Sequence, residues 1–234
     1  MSRPFLNVIA ILVIFIAAVA FALYNEIPDG PSTANVATST PATATTTVTI
    51  TPTTSTKPVA TSTPAIKSIT LKAYLTGYAW PDNTPPGSAI SHPVIHQEAG
   101  GTGTYADPIT VAIGHSYING VDVMDYPTGT RFYMPYLRKY FIAEDTCGDG
   151  STPQNGPCHR LDTPGNEAPA GTQLWLDLWV GGVGSTQPVV LECEDAITGL
   201  HTIVMKPSAN YVVNPGAIYA TSCAPQFSET VVKQ

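Results

Sequence analysis

The sequence predicts an all-β domain, a small barrel or a sandwich, in residues 67–234. From Lys67 onward, short strand-like runs are separated by clusters of Gly, Pro, Asn and Asp. No segment combines a sustained 3.6-residue period with capping residues, so long helices are not expected. The 22 prolines and 19 glycines of the 234-residue chain also predict many turns.

Seven runs are predicted to be the strands of this domain. The first, residues 69–74, alternates apolar and polar side chains, as a half-buried strand does. The other six runs follow in chain order at residues 109–113, 131–134, 140–143, 174–180, 189–193 and 201–205. Residues 135–139, between two of these runs, are expected to form one helical turn at most.

The first 24 residues are predicted to be a signal peptide or an uncleaved membrane anchor. Residues 5–24 are almost wholly apolar and follow Arg3, and about 20 apolar residues are enough to span a bilayer as a helix. Small residues at 18–20 and at 20–22 fit the A-x-A pattern of a cleavage site. The length of the run favours the anchor. Either alternative predicts an exported protein, secreted or held at the cell surface.

Residues 25–66 are predicted to be a disordered linker. Between residues 31 and 65 nearly every residue is Thr, Ser, Pro or Ala, and Lys57 is the only charged one. Such a composition buries too little apolar surface to offset the entropy lost on folding. We therefore expect an extended stalk that holds the folded domain away from a membrane or through a wall layer.

The charge of the chain argues against nucleic acid as a partner. The net charge is -7 and only 12% of the residues are charged, whereas nucleic-acid binding depends on Lys and Arg that neutralise phosphates. Low charge together with Tyr, Trp, Thr and Gly suits an extracellular domain that meets neutral polymers.

The four cysteines predict two disulfides, because an even number in an exported chain is typical of a disulfide framework. Three pairings are possible, and we favour Cys147–Cys158, which closes a short loop, with Cys193–Cys223, which fastens the C-terminal segment. A metal site is the alternative. It has little support, because the sequence has no CxxC and His159 beside Cys158 is the only adjacent Cys/His pair.

Two aromatic residues and a carboxylate follow the first predicted strand. Tyr78, Trp80 and Asp82 lie in the segment 76–83, TGYAWPDN. Aromatic faces can stack on sugar rings, and a nearby carboxylate can act as an acid or a base. The alternative is a surface turn, since Pro-Asp-Asn is ordinary turn chemistry.

The Gly-rich segment 100–108 is predicted to be a tight loop before the second strand. It lacks the Lys and the following helix of a phosphate-binding loop. Asp107, which precedes Pro108, either caps this turn or lines a groove.

The five histidines include no helix-borne pair that would predict a metal site. His115, directly after the second strand, is the best candidate for a catalytic partner. We expect the others to be solvated loop residues: His92, His96, His159 and His201.

Two aspartates carry most of the functional prediction. Asp145 follows the apolar run 140–143, and Asp177 interrupts the run 174–180. A carboxylate in such surroundings is costly unless it is paired, bound to a ligand or protonated. Two carboxylates from separate strands can meet in a cleft, one protonated and one ionised, as cleavage of a glycosidic bond requires. The alternative is structural, since a strand-borne Asp can accept backbone N–H bonds.

Strand alternation predicts the neighbours of Asp177. Trp175, Asp177 and Trp179 point to one face, and the leucines at 174, 176 and 178 point to the other, which is the natural core face. We therefore expect the two tryptophans to flank Asp177 in a groove that binds sugar, and the pKa of Asp177 to be raised.

Several short motifs resemble those of the double-psi β-barrel superfamily. The segment 143–148, AEDTCG, and the segment 176–184, LDLWVGGVG, are similar to its Gly-rich loop and its late Asp-bearing strand. The segments 106–108, ADP, and 127–134, PTGTRFYM, are similar to elements ahead of that loop. The superfamily includes expansins, family 45 endoglucanases, barwin-like proteins, rare lipoprotein A and the three-aspartate domains of membrane-bound lytic transglycosylase A. The resemblance covers roughly residues 69–184.

This resemblance implies a six-stranded double-psi β-barrel with a disulfide-tethered C-terminal extension, preceded by the N-terminal apolar helix and the disordered stalk. It implies a polysaccharide-active enzyme, either a peptidoglycan lytic transglycosylase or a β-1,4-glycan hydrolase, with no metal or organic cofactor. Its partners would be cell-wall polysaccharide and, through an uncleaved N-terminal helix, a membrane.

The resemblance also assigns roles to the candidate residues. Asp177 would be the general acid, Asp145 would position it or act as the second carboxylate, and Asp82 is a further catalytic candidate. Five residues would bind substrate: Tyr78, Trp80, Asp107, Trp175 and Trp179. The first alternative is a non-catalytic, expansin-like module that binds carbohydrate or loosens the wall. A second is a structural surface protein.

Overall fold

This computed structural model describes residues 67–234. These residues contain seven strands, one α-helix and one 3₁₀ helix. In chain order they are β1 (Ile69–Ala79), β2 (Ile109–Ile118), β3 (Val121–Met124), β4 (Arg131–Met134), β5 (Lys139–Cys147), the 3₁₀ helix (Pro153–Asn155), β6 (Leu174–Gly181), α1 (Gln187–Ile197) and β7 (Gly199–Met205). The domain is therefore mostly β, as predicted, although the prediction of an all-β domain did not include α1.

The strands pair in the order β3-β2-β5-β4-β7-β1-β6, and β6 pairs in addition with β2. Six strands, all except β3, are thus linked in a closed series of pairings. Two pairs in this series, β1 with β6 and β2 with β5, are parallel, and the others are antiparallel. Strand β3 forms a hairpin with the end of β2.

The hydrophobic core is built from side chains of all six strands in this series and of α1. The leucines of β6 at positions 174, 176 and 178 are buried in it, as strand alternation predicts. Each fully buried apolar side chain of this size contributes about 1.5–3 kcal/mol relative to an exposed one, so the core fixes the position of β6 and of Asp177 upon it.

Both predicted disulfides, Cys147–Cys158 and Cys193–Cys223, are confirmed. The first closes the loop that follows β5. The second joins α1 to the C-terminal segment, in which Ile218 is also buried. The segment beyond β7 is therefore fastened to the rest of the domain, because it carries both a covalent link and a core side chain.

The prediction of a strand at residues 189–193 was wrong, because these residues lie in α1. The buried residues Val190, Cys193, Glu194 and Ile197 recur with the spacing of one helix face. Pro188 occupies the first turn, where a missing N–H has no cost. Helix α1 approaches β1 closely at Gly77, where an added Cβ would lie 3.1 Å from Cγ of Glu194 and 3.1 Å from Cδ1 of Ile197.

Three predicted strands end several residues too early. Strand β1 continues to Ala79, β2 to Ile118 and β5 to Cys147, so Tyr78, His115 and Asp145 lie within strands instead of following them. The physical reason is non-local, since parallel pairing with β6 keeps β1 extended through Tyr78, which pairs with Trp179. Residues 114–124, for which no strand was predicted, form the β2–β3 hairpin.

Within residues 67–234, no helix is both long enough and apolar enough to cross a bilayer. The predicted signal peptide or anchor at residues 1–24 and the predicted linker at residues 25–66 lie outside the described residues.

Candidate functional site

The three aspartates predicted to be catalytic, Asp82, Asp145 and Asp177, line one cavity of about 360 Å³. The strand pairings explain why two of them meet. Ala112 of β2 is the register partner of Asp145 on β5 and also of Asp177 on β6. The two aspartates therefore flank the same residue of the strand between them. Tyr78 of β1 lines the cavity as well.

Asp177 is held by a short chain of hydrogen bonds. The indole N–H of Trp175 donates to Oγ1 of Thr76 at 3.0 Å, and the Thr76 hydroxyl donates to Oδ1 of Asp177 at 2.6 Å. An indole N–H can only donate, so the Thr76 proton is directed to Asp177. Oδ2 of Asp177 has no hydrogen-bond partner within residues 67–234. The second carboxylate oxygen is therefore left for the cavity.

The electrostatic surroundings of Asp177 favour its protonated form. The pKa of Asp177 is raised to about 6, first by burial and then by the nearby charges of Asp82 and Asp145, against the lowering effect of the Thr76 hydrogen bond. The direction agrees with the sequence expectation. The principal cause is removal from water, which disfavours the charged form of a carboxyl group.

Asp145 is a buried acceptor with four donors directed at it. The hydroxyl of Tyr78 donates to Oδ2 at 2.9 Å. Oδ1 accepts from the backbone N–H and the hydroxyl of Ser91, each at 3.0 Å, and from the N–H of Thr146 at 2.9 Å. Burial, followed by the charge of Asp145, raises the pKa of Tyr78 well above its ordinary value, so Tyr78 remains a donor. This arrangement fixes Asp145 rigidly.

Asp82 is placed by the turn after β1. Its Oδ1 accepts from the backbone N–H of Ala79 at 2.7 Å, which directs the half-buried side chain to the cavity. The charge of Asp82 is one of the influences that raise the pKa of Asp177. Asp82 and Asp177 thus place two carboxyl groups in one cavity, and the surroundings of Asp177 favour its protonated form.

Of the five predicted substrate-binding residues, only Tyr78 lines this cavity. Trp175 and Trp179 are buried and pack edge-on against Tyr74 and Tyr78, with ring centroids 4.6 Å and 5.2 Å apart. Trp80 is half-buried and packs against the core cluster. The face of β6 that carries Asp177 is thus covered on both sides of it by aromatic side chains of β1.

Asp107 belongs to a separate cluster that orders the loop between β1 and β2. It accepts from the backbone N–H of Thr102 at 3.0 Å and lies 2.9 Å from Nε2 of His96. Nδ1 of His96 lies 2.6 Å from Glu144. Although burial alone would lower the pKa of His96, its hydrogen bonds to Asp107 and Glu144 raise it.

Glu144, which precedes Asp145 on β5, is a residue beside the candidate site that the sequence prediction missed. It is fully buried, and Oε1 accepts from three consecutive backbone N–H groups, those of residues 94–96. Burial tends to raise its pKa, but these bonds and His96 lower it overall. Glu144 and its neighbour Asp145 together fasten the loop that carries Ser91. The signal available in the sequence was a Glu directly after the apolar run 140–143.

Glu194 of α1 is a buried carboxyl group that lies close to Gly77 of β1. It is 5% exposed, and its Oε1 has no hydrogen-bond partner within the described residues. Burial raises the pKa of Glu194 to about 7, with further contributions from the charges of Asp82 and Asp177. The pKa of Glu194 thus depends on two aspartates of the cavity, although Glu194 itself does not line the cavity.

His115, the histidine that the sequence favoured as a catalytic partner, is engaged elsewhere. Nδ1 lies 2.6 Å from Asp122 of β3, and Nε2 lies 2.8 Å from the carbonyl oxygen of Gly148. Nδ1 thus links the two strands of the hairpin, and Nε2 ties the hairpin to the loop after β5. In residues 67–234, no group of three or more His, Cys, Asp or Glu side chains is arranged to hold a metal ion.

Comparison with known proteins identifies a family. Residues 70–225 match the family described as the DDB_G0273701 N-terminal domain. Over 156 residues the chain is 31% identical to "Uncharacterized protein DDB_G0273701/DDB_G0273221" of Dictyostelium discoideum. This stretch covers 67% of the chain and 56% of that relative, so the chain spans about half the length of the curated relative that it matches. No solved structure matches. Since the match extends over most of the chain, the protein belongs to the DDB_G0273701 N-terminal domain family.

Proposed function

We propose that this domain cleaves a β-1,4-linked glycan of a cell wall, as a lytic transglycosylase or a hydrolase, with Asp177 as its general acid. The observation that carries the proposal is the convergence of Asp82, Asp145 and Asp177 on one cavity, in which the pKa of Asp177 is raised to about 6. A carboxyl group with this pKa keeps its proton in mildly acidic solution and can donate it to a leaving oxygen.

The proposal includes the finer fold. The closed series of six strands, with two parallel pairs, is consistent with a double-psi β-barrel, the architecture that the motifs of the sequence resemble. In this interpretation the residues after β7 are the disulfide-tethered extension.

The proposed reaction begins with transfer of a proton from Oδ2 of Asp177 to the glycosidic oxygen, which leaves as the C–O bond to the anomeric carbon breaks. In hydrolysis, Asp82 accepts a proton from the water that attacks this carbon. In transglycosylation, a hydroxyl group of the same sugar attacks instead, and a carboxylate accepts its proton. Asp145, which is occupied by four donors, keeps Tyr78 and the Ser91 loop in place.

We also propose that the protein acts outside the cell, either secreted or anchored to a membrane by its N-terminal segment, with cell-wall polysaccharide as its partner. The two disulfides support an oxidising compartment. The apolar residues 5–24 support export.

The test is to incubate the full-length protein with peptidoglycan, cellulose and chitin and to analyse soluble products by mass spectrometry. Products with anhydro-sugar ends would identify a transglycosylase, and products with reducing ends a hydrolase. The Asp177→Asn variant is the matched control. Absence of products from all three polymers would reject the enzymatic proposal.

The alternative is a non-catalytic, expansin-like module that binds carbohydrate or loosens the wall. Its specific support is that Asp145 already accepts four hydrogen bonds within the protein, an arrangement that holds this carboxylate in a structural role instead of leaving it free as the second carboxylate of a cleavage reaction. Binding to a polymer without release of products would favour this alternative.

A further inference from the structure

A second groove, of about 440 Å³, lies where β4 begins and β7 ends. Its lining includes Arg131, Lys206 and Tyr105, none of which lines the aspartate cavity. Among the described residues that line it, none is Asp or Glu. In a chain of net charge -7, this groove is a local region of positive charge.

Arg131 is held in place over an aromatic ring. Its guanidinium carbon lies 4.6 Å from the centroid of Tyr105, and Nη1 donates to the carbonyl oxygen of Tyr105. Tyr105 is fixed in turn, since its ring packs edge-on against the fully buried Tyr140 at 5.2 Å. A guanidinium group has five N–H donors, so most of them are left for a ligand.

Lys206 is brought beside Arg131 by the backbone. The N–H of Lys206 donates to the carbonyl oxygen of Arg131 at 2.9 Å, and Lys206 adopts a positive φ of 54°, which ends β7 at this point. Within residues 67–234 neither side chain forms an ion pair, whereas Lys72 pairs with Glu229 and Arg160 with Asp162. Two cations without carboxylate partners therefore share one groove.

The rest of the lining suits a sugar ring. Pro127 and Pro207 provide apolar surface, and the hydroxyl groups of Ser68, Thr128 and Ser208 are hydrogen-bonding groups. Aromatic and apolar faces can pack against the C–H face of a pyranose, and the planar guanidinium fork matches a carboxylate. Inorganic phosphate would use the two cations but neither the apolar surface nor the aromatic ring.

We propose that this groove binds a carboxylated sugar, such as a hexuronate unit of an acidic polysaccharide, with its carboxylate on Arg131 and Lys206. The site goes beyond the proposed cleavage reaction, which needs no charged substrate. It would hold an acidic polymer at a position separate from the aspartate cavity.

The experiment is calorimetric titration of the full-length protein with trigalacturonate, with neutral cellotriose and with inorganic phosphate. We expect trigalacturonate to bind more tightly than either of the others and its affinity to fall as salt is added. Arg131→Gln and Lys206→Gln should each weaken binding about tenfold, the scale of one lost charge-assisted hydrogen bond.

Arg160→Gln and Lys233→Gln are the matched controls, since these cations do not line the groove and their removal should leave the affinity unchanged. Asp177→Asn should also keep it, which separates this proposal from the proposed catalysis. The proposal is overturned if trigalacturonate binds no better than cellotriose, if only phosphate binds, or if the affinity survives both groove substitutions in folded protein.

Discussion

Thr76 lies opposite Asp177 in the parallel pairing of β1 with β6, and its hydroxyl donates a hydrogen bond of 2.6 Å to Oδ1 of Asp177. The indole of Trp175 occupies the Thr76 oxygen from the other side. A proton taken up by Asp177 is therefore directed to Oδ2, the oxygen without a protein partner among the described residues. This geometry leaves one defined oxygen of Asp177 for any group that enters the cavity.

The first prediction concerns this hydrogen bond. Thr76→Val keeps the shape of the side chain but removes the hydroxyl. In the native protein the hydrogen bond from this hydroxyl lowers the pKa of Asp177. The pKa of Asp177 should therefore rise above about 6 in the variant. Titration of the carboxyl carbon by NMR measures it directly. Thr76→Ser, which keeps the donor, is the control, and an unchanged titration in Thr76→Val would contradict the assignment.

The second prediction concerns Asp177 as the proposed general acid. Asp177→Asn preserves the shape of the side chain. It also removes a carboxyl group whose ionised form is disfavoured by burial, so the melting temperature should not fall. Glycan cleavage should fall roughly a hundred-fold or more, the usual scale of general-acid effects. Product release and thermal melting are measured on the same preparation. If the variant unfolds, Asp177 is structural, and if it cleaves as well as the native protein, Asp177 is not the acid.

The third prediction distinguishes Asp145 from Asp177. In Asp145→Asn an amide N–H₂ at the Oδ1 position would face the backbone N–H groups of Ser91 and Thr146, which cannot accept. At the Oδ2 position it could donate to the Tyr78 hydroxyl, but a neutral amide oxygen would then replace the charged acceptor at Oδ1. Loss of hydrogen bonds to a buried charged group costs about 1–3 kcal/mol, so chemical denaturation should show a clear loss of stability. Ser91→Ala removes only one of the four hydrogen bonds and should cost less. Equal stability of Asp145→Asn and the native protein would show that the four bonds do not stabilise the fold.

The fourth prediction is a pH dependence of stability. The pKa values of Asp177 and Glu194 are raised in the folded protein, to about 6 and about 7. Between their ordinary values, 3.8 and 4.5, and these raised values, the unfolded chain has released protons that the folded chain still holds. The contribution of these two groups to the free energy of unfolding should therefore fall as the pH rises from about 4 to 7.

Urea denaturation at pH 5 and pH 8 tests this dependence in the native protein and in Glu194→Gln. The neutral amide needs no proton, so the variant should lose less stability between the two pH values. An identical loss in both proteins would remove Glu194 from the explanation. Glu229, whose pKa is lowered to about 2 by its bonds to Thr202, Lys72 and His201 despite partial burial, should contribute in the opposite range, losing stability as the pH falls below about 4.5.

The convergence of the aspartates could be anticipated from the sequence, because a carboxylate within an apolar run is costly and indicates a special environment. The burial of Trp175 and Trp179 could not. Alternation along β6 gives the face, but the covering side chains, Tyr74 and Tyr78, come from a strand about 100 residues earlier in the chain. The pairing of distant strands decides which side chains pack on a given face of a strand. The local sequence pattern does not contain this information.

Other differences did have local signals. Asn119-Gly120 between β2 and β3 has positive φ values of 52° and 77°, and Asn-Gly flanked by strand residues is a strong hairpin signal. The helix α1 was also detectable, since Pro188 followed by buried positions at helical spacing favours a helix over a strand. Ser91, in contrast, lies in a loop without regular pattern, and only its contact with Asp145 gives it a role.

The two consecutive acidic residues of β5 have a further consequence for how this site can vary. Glu144 fastens residues 94–96 and Asp145 fastens Ser91, while Asp82 is fixed to Ala79. Between these anchors, Thr84, Ala89 and Ile90 line the cavity. Substitutions at these three positions can reshape the wall of the cavity while the carboxylates keep their places. Variation within the family, or laboratory redesign, can therefore alter the shape of the cavity through this segment.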